Sequence, residues 1–193
     1  MKRVAPFALA LVGLAAFAQT TQRIRGTIVR LDGDVLTVKS REGKEVQVQL
    51  AKDAQVAVAK STTLAEIKPG TYVGSAAMKR PDGTLVAKEV HTIPPQVPAG
   101  HIDWDLEPGS TMTNANLTGV AQAAGGQEIT LQYKDGTQKI LVPPGTPIVA
   151  FVPGDRTALK PGETIFTTAR VEEGGKLSTQ RIQVSKDGVR PAH

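Results

Sequence analysis

"LAEIKPG" occupies residues 64–70 and "RTALKPG" occupies residues 156–162. Both end in Lys-Pro-Gly, and they lie 92 residues apart. In the first, Ser61, Thr62 and Thr63 offer hydroxyl caps, Leu64 and Ile67 stand three apart, and Pro69-Gly70 stops the run. A capping hydroxyl, apolar residues at helical spacing and a Pro-Gly stop spell one short helical turn. Asp155–Lys160 fills the same place in the second. Everything around these heptads follows a different rule, alternation with period two broken by glycine. The lone helical turns therefore act as landmarks for the fold.

Further landmarks repeat in the same order. Arg25-Gly26-Thr27-Ile28 matches Thr118-Gly119-Val120-Ala121 at an offset of 93, and Arg41-Glu42-Gly43-Lys44 matches Lys134-Asp135-Gly136-Thr137 at the same offset. Asp82-Gly83-Thr84-Leu85 matches Gly174-Gly175-Lys176-Leu177 at 92, as Val90 matches Ile182. Matches in constant order at near-constant spacing indicate a duplication. A unit of this length is a small domain rather than a solenoid repeat.

Each copy reads as five strands. Val46, Val48 and Leu50 alternate with Gln47 and Gln49, and Ile129, Leu131 and Tyr133 alternate with Thr130, Gln132 and Lys134. Such alternation buries one face of a strand. Asp32-Gly33, Glu42-Gly43 and Asp82-Gly83 supply turns in copy one, as Gly125-Gly126, Asp135-Gly136 and Gly174-Gly175 do in copy two. Five strands with a helical turn between the third and fourth is the OB-fold order. The expected architecture is all-β: two tandem five-stranded OB-like β-barrels, each with one short helical turn between strands 3 and 4. A generic small barrel and a pair of packed β-sandwiches are the alternatives. The expected boundaries are a signal peptide at 1–18, a first module at 19–93, a Pro-rich then acidic linker at 94–116, a second module at 117–185 and a tail at 186–193.

The signal-peptide expectation rests on Lys2-Arg3, the apolar run Ala5–Phe17 and the small-x-small site Ala16-Phe17-Ala18. That run is shorter than the ~20 residues a membrane-spanning helix needs. Cleavage after Ala18 predicts a periplasmic or secreted protein that is not an integral membrane protein. The chain has no cysteine, which excludes disulfides, thiolate metal sites, cysteine nucleophiles and lipid attachment at a lipobox.

Charge is unevenly spread. The formal net charge is +5, but residues 23–93 carry +4, residues 117–184 carry +1 and residues 94–116 carry −3. No Lys/Arg cluster is dense enough to mark a polyanion site. Tyr72, Trp104, Tyr133, Phe151 and Phe166 are the only aromatics after residue 18. OB-folds that grip single-stranded nucleic acid stack bases on aromatics along a basic groove, so nucleic acid is not an expected partner.

The stretch "HIDWDLEPGSTMTNAN", residues 101–116, holds the only Trp and no Lys or Arg. If residues 101–105 are extended, His101, Asp103 and Asp105 point to one side and Ile102 and Trp104 to the other. Imidazole with two carboxylates suits a divalent metal, with Glu107, Met112 and His91 near enough in sequence to join. The plainer expectation is an ordered linker. Trp104, Ile102 and Leu106 then plug a seam between the barrels, and the carboxylates pair with Arg and Lys of copy one. Ser110, Thr111 and Asn114 are the polar candidates for turn-capping or ligand contact beside Trp104. A Ser110 nucleophile with a His101 base lacks a third orienting group, and no esterase, metalloprotease or P-loop motif is present. No enzyme activity is expected.

The motifs also carry a resemblance. Gly26, Gly43, Leu64–Gly70 and Asp82–Leu85 in copy one, and Gly119, Gly136, Leu159–Gly162 and Gly174–Leu177 in copy two, resemble an uncharacterised family of small β-barrel modules in exported bacterial proteins. Gly174 and Ala158 depart from its pattern. Trp104–Ala115 and Val142–Val149 resemble segments of exported proteins that carry two such modules. The resemblance implies the architecture and no activity. The functional expectation is a non-enzymatic exported binding or envelope-associated scaffold whose partner is an envelope protein or polymer. The alternative is a periplasmic divalent-metal-binding protein without other cofactor.

Overall fold

The computed structural model describes residues 20–191, so the signal-peptide reading and its cleavage site lie outside the described residues. The chain is all-β. Among the described residues the regular structure is twelve strands and three single 3₁₀ turns, at Leu64–Glu66, Arg156–Ala158 and Glu173–Gly175. Among the described residues, no helix is long and apolar enough to cross a membrane.

The first half contributes β1 (Thr21–Asp32), β2 (Val35–Ser40), β3 (Glu45–Ser61), β4 (Tyr72–Lys79) and β5 (Leu85–Thr92). A short β6 (Gly100–Asp103) follows. The second half contributes β7 (Ser110–Ala123), β8 (Gly126–Tyr133), β9 (Gly136–Val142), β10 (Ile148–Gly154), β11 (Thr164–Val171) and β12 (Leu177–Val184). Most of the glycines read as turns lie in turns, while Gly126 and Gly136 open β8 and β9. Gly83, for example, takes φ +89° while Thr84 N–H donates to Asp82 Oδ1 at 2.9 Å, a local carboxylate bond that closes the reversal.

The strand pairing departs from the tandem expectation. β1, β2 and β3 pair in sequence, but the ring they open is closed by β12 and β11 from the other half. This ring is a closed five-stranded barrel, with β3 and β12 parallel. Its core is Ile24, Ile28, Leu36, Val38, Val48, Leu50, Ile165 and Ile182, among others. Five of the remaining strands close a reciprocal ring of pairings, β7, β8 and β9 joined by β5 and β4. It surrounds Val73, Val90, Leu117, Ile129, Leu131 and Ile140. Each half therefore lends its last two strands to the other.

The physical cause lies in β3. It runs 17 residues without Gly or Pro, so nothing bends it back onto its own ring. Its second half stays paired with β12 as far as Val58 and also pairs antiparallel with β10, from Val56↔Gly154 to Ser61↔Val149, so only its last residues run beyond the barrel. The two strands carry the chain across in opposite directions, and each helical turn lands in the far ring. Leu64 and Ile67 are buried with Leu117 and Leu131. Leu159 is buried with Ile28 and Val48. Glu66 caps its own turn by accepting from Thr63 N–H at 3.0 Å. Arg156 donates to Ala51 O at 2.7 Å and pairs with Asp34, fastening the second turn to the first barrel.

Two finer expectations are corrected. The first strand of the repeat matches at an offset of 89, not 93. Its bulge lies between Ile28 and Arg30 in one copy and between Leu117 and Gly119 in the other, so Gly26 does not correspond to Gly119. Residues 110–116, assigned to the linker, are the opening half of β7. Pairing with β4 on one edge and β6 on the other satisfies their backbone groups and makes an extended strand of a polar stretch.

Candidate functional site

The segment after β6 folds onto the outer face of β1. Arg23 and Arg25 flank Ile24, whose side chain enters the barrel core, so both guanidiniums stand on the outside. Arg23 lies over the Trp104 ring, 3.9 Å from its centroid. Arg25 lies 5.7 Å from the same ring and 5.1 Å from that of Phe166. Trp104 and Phe166 tilt against each other with centroids 6.4 Å apart. Asp105 joins Arg25 at 2.7 Å and Arg23 at 3.4 Å. Burial pushes the Asp105 carboxyl up. The hydrogen bond from Arg25 and the charges of Arg25 and Arg23 together outweigh that push and hold its pKa below the ordinary value.

Ser110 shapes the loop that presents this pair. It is buried, its hydroxyl donates to Trp104 O at 2.8 Å, and it accepts from Glu107 N–H at 3.2 Å. Glu107 reaches Lys88 at 2.9 Å. Thr111 Oγ1 donates to Ala77 O at 3.4 Å, and Asn114 Nδ2 donates to Pro98 O at 3.4 Å. These polar residues tie the β6–β7 segment to β4 and to the Pro-rich crossing. The acidic segment is thus paired with basic residues of the first half, and Trp104 packs at the seam. Ile102 does not, since it is half exposed.

The set His101, Asp103 and Asp105 is not gathered around a common point. His101 Nδ1 shares a 2.8 Å hydrogen bond with Thr113 Oγ1. Burial lowers its pKa, with the Asp103 charge partly opposing. Asp105 turns instead to the two arginines. Among the described residues, no three His, Asp or Glu side chains stand where one metal ion could reach them.

Trp104 also borders a cleft of about 490 Å³ between the two rings. His91, Met112 and Phe166 form its apolar side with Ile93 and Val97. His91 is buried and stands edge-on to Phe151, with centroids 6.1 Å apart. Strands β11, which carries Phe166, and β12 supply further lining. There Thr167 Oγ1 donates to Arg181 O at 2.6 Å and lies 2.7 Å from Thr179 Oγ1. Arg170 and Arg181 stand at the rim, Arg181 bonded to Gln55 Oε1 at 3.2 Å. Asn114 lines the same cleft, so Trp104 and Asn114 share it while Thr111 and Ser110 do not.

Sequence reasoning did not single out Phe166, Arg170 or Arg181 as site residues. They lie in the second half, some sixty residues or more beyond Trp104, and reach it only because β11 and β12 cross to the first barrel. Arg23 and Arg25 were legible in part, through the opposite charge of residues 23–93 and 94–116. No family model, no curated protein and no solved structure matches the chain.

Proposed function

We propose that the protein is a non-enzymatic, exported binding module built on two OB-like barrels that exchange strands. The β1-β2-β3-β12-β11 ring with its parallel β3–β12 pair supports the OB reading. The observation that carries the function is the cleft of about 490 Å³ with Trp104 and Phe166 on one side and Arg170 and Arg181 at the rim. Its size lies within the ~300–1,000 Å³ of ligand sites, and its mix of aromatic surface with a few polar groups is their usual lining. The ligand is a group with an apolar or aromatic body and an anionic end, carried by an envelope protein or polymer. The divalent-metal reading of His101, Asp103 and Asp105 is weaker, because it requires Asp105 to leave two arginines.

Anilinonaphthalene sulfonate, an aromatic anion of suitable size, is the test probe. It is expected to bind the folded protein saturably. Thr168→Phe, at an exposed position on the cleft wall, and Arg170→Ala/Arg181→Ala are each expected to weaken binding several-fold. Non-saturable binding, or binding indifferent to both variants, contradicts the proposal.

A further inference from the structure

The two halves differ at one strand edge. On β7, residues Ser110–Asn114 are paired on both sides, by β4 along one edge and by β6 along the other. The corresponding residues of β1, 89 positions earlier, are Thr21–Arg25. They pair with β11 along one edge, while β2 joins the other edge only from Gly26. Among the described residues, no strand lies where β6 lies in the second half.

The hydrogen-bond pattern says which groups face that edge. Ile28 N–H donates to Glu163 O on the β11 side. Backbone groups alternate along a strand, so Gly26, Ile24 and Gln22 also point to β11. Thr21, Arg23 and Arg25 point the other way. Arg25 O accepts from Arg41 N–H at 3.1 Å, in agreement. Among the described residues, the N–H and C=O of Thr21 and Arg23 have no strand partner on that edge, an edge of the kind that templates another strand.

The surroundings of this edge are basic. A groove of about 380 Å³ beside it is lined by Arg23, Arg25, Arg41 and Lys44, against only Glu42 and Asp105. Asp105 is already spent on Arg23 and Arg25. Among the described residues, neither Arg41 nor Lys44 stands in an ion pair. Burial and the neighbouring Arg25 charge lower the Arg41 pKa, as expected of cations crowded without enough anions. The covering segment in the second half is itself an extended run leading into acidic residues, Gly100–Asp103 and then Trp104-Asp105.

We propose that the β1 edge is a docking site for an extended acidic peptide of a partner protein. The peptide adds as an antiparallel strand along Thr21–Arg23, as β6 adds to β7. Main-chain bonds to Thr21 and Arg23 hold it, and alternate carboxylates meet Arg41, Lys44 and the arginines of β1.

The test titrates the full chain with an alternating Asp-Val hexapeptide and with its Lys-Val counterpart, followed by backbone NMR. The acidic peptide is expected to bind saturably and to shift the amides of residues 21–25. The basic peptide is expected to bind at least tenfold more weakly. Arg41→Glu/Lys44→Glu, at exposed positions, is expected to cost at least tenfold in affinity. Thr21→Pro removes an edge N–H that β11 does not use, and is expected to weaken binding several-fold with the melting temperature unchanged. No binding, equal binding of both peptides, or shifts confined to the cleft at Trp104 would overturn the proposal. So would protection of the residue 21–23 amides that grows with protein concentration in the absence of peptide, which would assign the edge to a second copy of the chain.

Discussion

Leu64→Ala is expected to cost about 2–5 kcal/mol, the range for a buried leucine truncated in a tight core. The larger interest is where the loosening falls. Leu64 is nearly fully buried and follows β3 by three residues, yet it packs in the core with Val73, Leu117, Ile129, Leu131 and Ile140. Amide exchange measured by mass spectrometry should therefore accelerate across β7, β8 and β9, and across β4 and β5. β1, β2 and β3 should keep their protection. Leu159→Ala should do the reverse, because Leu159 sits among Ile24, Leu36 and Val48. In a tandem arrangement the responses of β1–β3 and β7–β9 would be interchanged, while β4 and β5 would still follow Leu64, so the pair of variants reads the exchange as well as the packing.

The second large effect concerns two glycines that look equivalent in sequence. Gly26→Ala is expected to destabilise by about 1–3 kcal/mol or more, the cost of overpacking a closed core. A Cβ at residue 26 would stand 2.2 Å from Lys39 O and 2.7 Å from Val38 Cγ1. The nearer atom is backbone of the paired β2 strand, so relief requires β1 and β2 to separate where β1 passes from β11 to β2. A Cβ at Gly119 would meet nothing within 4 Å. Gly119→Ala should then shift the midpoint of a urea melt by little, within the range of ordinary surface changes. Equal effects at the two positions would argue for the 93-residue match and against the register described above.

The hairpin turns and the two short helical turns were legible because each rests on local chemistry: positive-φ glycines, capping side chains and Lys-Pro-Gly stops. The exchange was not, because the matching landmarks of the two halves make their fourth and fifth strands look interchangeable as partners. β4 and β11 each pair antiparallel with the first strand of the other half, β4 with β7 and β11 with β1. One sign was available. Glu45–Ser61 holds no Gly or Pro, whereas Pro143-Pro144-Gly145 separates β9 from β10. A strand this long overruns a single small barrel.

The candidate site was legible in the same uneven way. Trp104 and Asp105 stood out by composition, and their basic partners by regional charge. Phe166, Arg170 and Arg181 did not, since only the crossing of β11 and β12 brings them near. The polar run Ser110–Asn116 was misread as linker because Ser, Thr and Asn favour turns locally, while strand pairing on both edges decides the outcome here.

The strand exchange itself is tested most directly by engineered cysteines in a chain that has none. Thr27 pairs with Thr164. Ile28 N–H bonds to Glu163 O, so 27/164 is the adjacent non-hydrogen-bonded pair. Such pairs have a Cα separation of about 4.5 Å, within disulfide reach. A first half that closed its own ring would instead place Thr27 beside Tyr72, the residue that corresponds to Thr164 at an offset of 92. Mild oxidation of Thr27→Cys/Thr164→Cys is expected to give an intramolecular disulfide in folded monomer, read by peptide mapping, while Thr27→Cys/Tyr72→Cys stays reduced. A disulfide in the second variant and none in the first would contradict the exchange.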